Sequence, residues 1–232
     1  EKNSVDVFVD VARDKKAPLF CAGQQWHCDE QNGQMIFTWN DTQRIFPAPS
    51  LLGSHQIKNT GAALAALEVI KEDFPLKDNL ISQGLKNIYW PGRMQNITSG
   101  ELFKSLPDDT ELWYDGGHND SAGDAIAHYM KHWNETDPKP VHLIMGMKSD
   151  KNPQRFLINM IPYISSLSLI PLNGIGPYIT KEDIAPFLYE HNIPLYTGSN
   201  NLIDTIHCLT LNNKSDIRIF ICGSLYLAEQ IN

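Results

Sequence analysis

Strand-like apolar runs alternate with helix-like segments through the second half of this 232-residue chain, and no other feature constrains its fold as tightly. Residues 112–114, 141–147, 167–172, 194–196 and 217–222 read as strands. Residues 121–133, 153–161, 181–191 and 202–209 read as helices, and a final helix opens at Leu225. On the first of these, Ala122, Ile126, Tyr129, Met130 and Trp133 recur at helical spacing on one face. Pro186 weakens the third, because proline removes a backbone donor. Strands that are apolar on both faces need cover on both. The pattern therefore predicts an α/β fold with a mainly parallel, Rossmann-like sheet.

The first half has a different texture. Val5, Phe8, Val9 and Ala12 have helical spacing, and residues 17–23 read as a short strand ended by a turn. Asn32-Gly33 predicts a hairpin whose strand is 35–39, and Pro47 and Pro49 break the chain after it. Residues 55–71 are rich in Ala and Leu and predict a helix with Ala63, Leu67 and Ile70 on one stripe. A shorter helix is expected over 77–85, and the alternating pattern begins after Trp90-Pro91-Gly92. The expected division is residues 1–87 and residues 88–232.

Composition narrows the function classes. Hydrophobic content of 42% and charged content of 20% are those of a globular protein. A net charge of −8 disfavours general nucleic-acid binding. Anionic ligands would need help from helix N-termini and single Arg or Lys residues. The four cysteines lack CxxC spacing, which favours reduced thiols of a cytoplasmic protein over disulfides or zinc. There is no run of 18 apolar residues and no signal-peptide pattern. The first residue is Glu1 rather than Met, which suggests processing or an opening inside a longer protein.

Asp115-Gly116-Gly117-His118-Asn119 sets an acid, two glycines and a histidine in one strand-to-helix turn. In open α/β sheets such turns line the ligand crevice, although a capped βα turn has the same look. His55, Gln56 and Asn59 open the Ala-rich helix; they suit either a base edge or simple capping by Ser54 or Asn59. Trp90-Pro91-Gly92-Arg93 delivers one guanidinium, whose planar fork fits phosphate oxygens, or it is a surface linker. Ser224, in Gly223-Ser224-Leu225-Tyr226-Leu227-Ala228, caps a helix or meets a carboxylate there. Lys148 and Lys151 follow another strand and either present cations to an anion or form a solvated loop. Turns that follow parallel strands of one sheet should converge on one edge.

Gly53-Ser54-His55-Gln56 with Asn59, Trp90-Pro91-Gly92-Arg93, Asp115 to Asn119 and Gly223 to Ala228 occur in an order that resembles folylpolyglutamate synthase/dihydrofolate synthase of the Mur ligase superfamily. The resemblance runs from about Ala17 to the end. It implies an ATP- and Mg²⁺-dependent cytoplasmic ligase that phosphorylates a carboxylate of dihydropteroate or a folate, after which the amine of L-glutamate attacks the acyl phosphate. Asn59 would hold the adenine, with His55 and Gln56 shaping the nucleotide pocket. Arg93 would reach the ATP phosphates and Asp115 the ribose region. His118 and Ser224 would place the incoming glutamate or the reacting phosphate, with Arg93 and His118 as the catalytic pair.

Departures accompany the likeness. No Gly-x-x-Gly-Lys-Ser/Thr loop occurs in these residues, nor the family's Mg²⁺ ligands or its modified lysine, so the resemblance implies a fragment that is inactive alone. Residues 1–87 would be the tail of an ATPase domain and 88–232 the carboxy-terminal domain. Gly117 stands where Ala is usual, Asp120 where Pro is usual, and Glu229 near an expected Gly. Two other readings stay open: a Mur-type ligase acting on a cell-wall precursor, and a non-catalytic Rossmann-like binding module. The latter lacks Gly-x-Gly-x-x-Gly after a first strand.

Overall fold

The computed structural model describes residues 2–172, 174–196, 201–212 and 216–231, and the chain divides into two compact units, Glu1–Tyr89 and Trp90–Asn232. The side chain of Ser54, one of the two candidate caps, lies outside the described residues.

In the first unit a helix, α1 (Lys2–Lys15), precedes three strands, β1 (Trp26–Gln31), β2 (Gln34–Trp39) and β3 (Thr42–Pro47). They form an antiparallel sheet in sequence order, with Asn32 and Gly33 both at positive φ in the first hairpin. Two helices, α2 (Ser54–Val69) and α3 (Asp78–Lys86), follow. Met35, Phe37 and Phe46 from the sheet pack against Ile57, Leu64 and Ala65 of α2 and Ile81 and Leu85 of α3. Arg44 on β3 pairs with Glu68 of α2 and, at 2.8 Å, with Asp78 of α3. Its guanidinium lies 5.2 Å from the Phe46 ring centroid, so one cation ties the sheet to both helices.

Two expectations for this half fail. Residues 17–23 hold no strand, only an isolated bridge from Ala22 to Trp26. On α2 the proposed stripe is wrong: Ala63 and Ile70 are exposed, and the buried face is Ile57, Gly61, Leu64 and Ala65. In so Ala-rich a helix, small apolar residues lie all round, and spacing alone does not single out the face that meets the sheet.

The second unit carries the alternation. Its strands are β4 (Gln95–Asn96), β5 (Glu111–Asp115), β6 (Val141–Met145), β7 (Ser166–Leu169), β8 (Leu195–Tyr196) and β9 (Arg218–Cys222). Its helices are α4 (Glu101–Lys104), α5 (Asp120–Thr136), α6 (Pro153–Leu157), α7 (Lys181–Glu190) and α8 (Leu202–Asn212). The sheet order is β4-β5-β9-β6-β7-β8, parallel throughout except at the β4 edge. Side chains of α5, α6 and α7 cover one face, around Leu143, Met145 and Phe220. Leu202, Ile206 and Leu209 of α8 help to cover the other, around Ile144, Ile219 and Ile221. The mainly parallel α/β sheet expected from the sequence is present.

Its details shift. The expected helix over 153–161 stops at Leu157, and the expected strand over 167–172 is Ser166–Leu169, ending before Pro171. The last helix is a 3₁₀ turn over Leu225–Gln230. Helices α5 and α6 approach so closely that a Cβ on Gly123 would lie 2.1 Å from the Phe156 carbonyl oxygen, so only glycine fits.

At the amino ends of β5 and β9, Arg218 is almost fully buried. Its guanidinium meets Glu111 at 2.8 Å and Asp137 at 2.9 Å and lies 4.4 Å from the Trp133 ring centroid. Lys139 reaches Glu111 at 2.6 Å. Burial alone would raise the Glu111 carboxyl, but hydrogen bonds from Arg218, Lys139 and Trp113 outweigh it and hold it at about 2.

Candidate functional site

Register places the site. Asp115 pairs with Cys222 and Cys222 with Met145, so β5, β9 and β6 end level with one another. The three turns that follow are tied together by backbone bonds. Gly223 N–H donates to the Gly117 carbonyl at 3.0 Å, and Gly146 N–H donates to the Cys222 carbonyl at 3.2 Å. Gly223 has φ 98°, and a Cβ there would lie 2.7 Å from the Gly146 carbonyl oxygen, so this crossing also requires glycine.

Arg93 joins the same edge from an earlier part of the chain. Gly116 N–H donates to the Gly92 carbonyl at 2.9 Å, and Met94 N–H donates to Asp115 Oδ2 at 2.9 Å. Asp115 Oδ1 accepts from Gly117 N–H at 2.7 Å, and the residue is buried. Tyr114 O–H donates to the Ser224 carbonyl at 3.0 Å, packing the β5 end against the last turn. Burial, with the charge of Asp115 behind it, pushes the Tyr114 hydroxyl up to about 12, so it stays a donor.

Beyond these turns lies a cavity of about 400 Å³ lined by His118, Lys148, Asp150, Lys151, Ser224 and Tyr226 among others. His118 Nδ1 is 3.1 Å from the Gly116 carbonyl oxygen. A carbonyl only accepts, so Nδ1 carries the proton and Nε2 is left as an acceptor. Ser224 Oγ accepts from Tyr226 N–H at 3.2 Å, capping the 3₁₀ turn. Asn119 caps α5, accepting from Ala122 N–H at 2.9 Å. Lys151 pairs with Asp150 at 3.4 Å, whereas Lys148 forms no ion pair among the described residues. Cations, one carboxylate, an imidazole acceptor and a hydroxyl together suit a small ligand carrying carboxylates and an amine.

Four of the seven site residues expected from sequence, Arg93, Asp115, His118 and Ser224, thus lie in turns at one sheet edge. The other three lie in the first unit, at the start of α2. Gln56 is buried; its Nε2 lies 3.0 Å from His55 Nε2, and its Oε1 accepts from Asn59 Nδ2 at 3.1 Å. Asn59 itself is exposed and keeps amide capacity for a ligand. The N-cap position of α2 is Gly53, which has no side chain to offer, so Asn59 is not its cap. Asp150 and Tyr226 were given no role from the sequence; the signal for Asp150 was its position after a strand of the predicted sheet, and Tyr226 lay within the Gly223-to-Ala228 motif.

All four cysteines are free; burial pushes the Cys28 thiol to about 11 and raises that of Cys222 as well. Among the described residues no three His, Cys, Asp or Glu side chains are grouped to hold a metal ion. Nor is any described helix long and apolar enough to cross a membrane.

A mostly parallel sheet with helices on both faces and polar turns gathered at its carboxyl edge defines the second unit as a Rossmann-like α/β domain. No family model matches the chain. In sequence it is 25% identical over 225 residues to the probable dihydrofolate synthetase of Schizosaccharomyces pombe, covering 93% of this chain and 51% of that one. It is 25% identical over 218 residues to folylpolyglutamate synthase of Lacticaseibacillus casei, covering 93% and 44%. In fold it matches bifunctional folylpolyglutamate synthase/dihydrofolate synthase of Yersinia pestis, solved with AMPPNP and Mn, with a TM-score of 0.71 at 24% identity, covering 94% and 48%. A further structure of such an enzyme holds L-glutamate as well. The chain is therefore similar to folylpolyglutamate synthase and dihydrofolate synthase in sequence and shares their fold, and it spans about half the length of the curated relatives it matches.

Proposed function

We propose that this chain is the carboxy-terminal portion of an ATP-dependent cytoplasmic ligase that joins L-glutamate to dihydropteroate or a folate. The observation that carries the reading is the shared edge: Arg93, His118 and Ser224 sit in turns that bond to one another, and His118 and Ser224 line a cavity with two lysines.

A carboxylate is a poor electrophile, and transfer of a phosphoryl group from ATP gives it a leaving group. The charge that develops on that group needs a fixed cation, and Arg93 is the proposed donor. The amine of glutamate must lose a proton as it attacks, and His118 Nε2 is the proposed acceptor. The Ser224 hydroxyl and the Lys148 ammonium are proposed to hold the carboxylates of the amino acid. In the first unit the His55–Gln56–Asn59 group is the proposed adenine contact, through the exposed Asn59 amide. Mg²⁺ would neutralise the phosphates, but the described residues offer it no ligand set, so no step is assigned to it here.

The complete enzyme, given ATP, Mg²⁺, L-glutamate and dihydropteroate, should release ADP, and the 232-residue chain alone should release none. Turnover by the chain alone would overturn the fragment reading. Consumption of a UDP-linked cell-wall precursor in place of dihydropteroate would overturn the substrate assignment, and binding of NAD in preference to ATP the ligase assignment.

A further inference from the structure

Helix α2 is apolar on two opposite sides, and only one of them is covered. Ile57, Leu64 and Ala65 pack into the core beneath the first unit's sheet. On the far side Asn59, Ala62, Ala63, Ala66 and Val69 recur at helical spacing, with Ile70 directly after the helix, and every one of them is exposed. A helix face that meets water normally carries charged residues; this stripe carries none, and Asn59 is its sole polar member. A helix that is apolar on both sides belongs between two packed layers. Helix α1 repeats the pattern. Its Val5, Phe8 and Val9 share one side and are exposed, at 46%, 64% and 39%, while Asp6, Asp10 and Arg13 lie elsewhere round the helix. Single exposed apolar residues need no explanation, but rows of them mark a surface made to be covered.

We propose that the bare stripe of α2 is a docking seam and that its occupant is the half of the enzyme that precedes residue 1. The inference rests on the reading of this chain as the carboxy-terminal portion of a longer ligase. Length supports the occupant: the chain covers 51% and 44% of its two curated relatives, so about half of each lies outside the match. Packing supports it too. Alanine at positions 62, 63 and 66 leaves a shallow surface that a facing element approaches closely and fills with large apolar side chains. A second copy of this chain is the competing occupant. Two-fold pairing would set the stripe against itself, small side chains against small, and bury little apolar area.

The test is maleimide labelling of Ala66→Cys, located by peptide mass spectrometry so that the four native cysteines do not interfere. Residue 66 should react readily in the 232-residue chain and about 100-fold or more slowly in the complete enzyme, as a covered site does. Lys86→Cys, exposed on α3, should react alike in both. Ala66→Glu should leave the urea midpoint of the chain unchanged and lower that of the complete enzyme, because only there does it bury a charge. Ala62→Cys carries the labelling should Ala66→Cys fail to fold. Equal labelling of the chain and the complete enzyme would overturn the seam. Protection in the chain alone that grows with its concentration would overturn the occupant and give the stripe to a second copy. A protected residue 66 in an enzyme that releases no ADP with dihydropteroate and glutamate would remove the ligase reading and leave the seam standing. A reactive one in an enzyme that does release ADP would remove the seam alone.

Discussion

At His118 a single backbone carbonyl decides which ring nitrogen donates. Because Nδ1 donates to Gly116, Nε2 is the atom that can take a proton from an incoming amine. His118→Ala in the complete enzyme should lower kcat by about 100-fold, the usual scale for a lost proton acceptor, with the KM for ATP little changed. Steady-state kinetics with glutamate as the varied substrate would check this, and an unaltered kcat would take His118 out of proton transfer. The neighbouring lysines make a separate point. Lys148 and Lys151 lie in a charged loop whose sequence reads equally well as solvated surface, and only the cavity distinguishes the two readings. Asp115 was legible as an important residue because of its place in an Asp-Gly-Gly-His turn. That its carboxylate turns to Met94, 21 residues earlier, was not, since no local pattern encodes a partner that distant.

Among the elements, legibility followed burial. β6 and β9 are buried at every position, so apart from His142 and Arg218 their sequences are apolar and stand out from their surroundings. β1 and β3 were missed because they are half-exposed: Trp26-His27-Cys28-Asp29-Glu30-Gln31 and Thr42-Gln43-Arg44 carry polar residues that mask the alternation. The two-residue β4 offers too short a run to register. Conversely, Leu19-Phe20-Cys21 looks apolar enough for a strand yet finds no ladder partner. The α5–α6 contact makes a prediction at this scale. Gly123→Ala places a methyl group against the Phe156 carbonyl and should destabilise the second unit by about 2 kcal/mol or more, read as a lower urea midpoint. A midpoint equal to that of the parent would mean that the helices can part without cost.

For the molecule as a whole, two groups of opposite chemistry set its response to acid. His142 is buried on β6 with Nδ1 2.7 Å from Ser166 Oγ, its Nε2 has no hydrogen-bond partner among the described residues, and burial lowers its pKa. Below its ordinary value of 6.5, the unfolded chain takes up a proton that the folded one refuses, so stability declines first in that range. Glu111 acts in the same sense at lower pH, for a different reason: its charged form is held by hydrogen bonds. Its folded pKa of about 2 lies below its ordinary 4.5, so its contribution is complete above 4.5 and is lost as the pH falls from there toward 2. Urea unfolding at a series of pH values should show both declines. His142→Gln should flatten the upper one, and Glu111→Gln the lower. A single decline that neither variant alters would assign the acid response to other groups.

The sheet order has a consequence for how the polypeptide is made. β9, composed of residues 218–222, lies between β5 and β6, so a strand that follows all the other described strands in the chain forms the middle of the sheet. While a ribosome is still working upstream of residue 218, β5 and β6 have no partner to join them, and the Gly223 crossing that organises the cavity does not exist. Nascent chains halted there should remain protease-sensitive over residues 111–145, and the sheet should close only when residues 218–222 emerge from the exit tunnel.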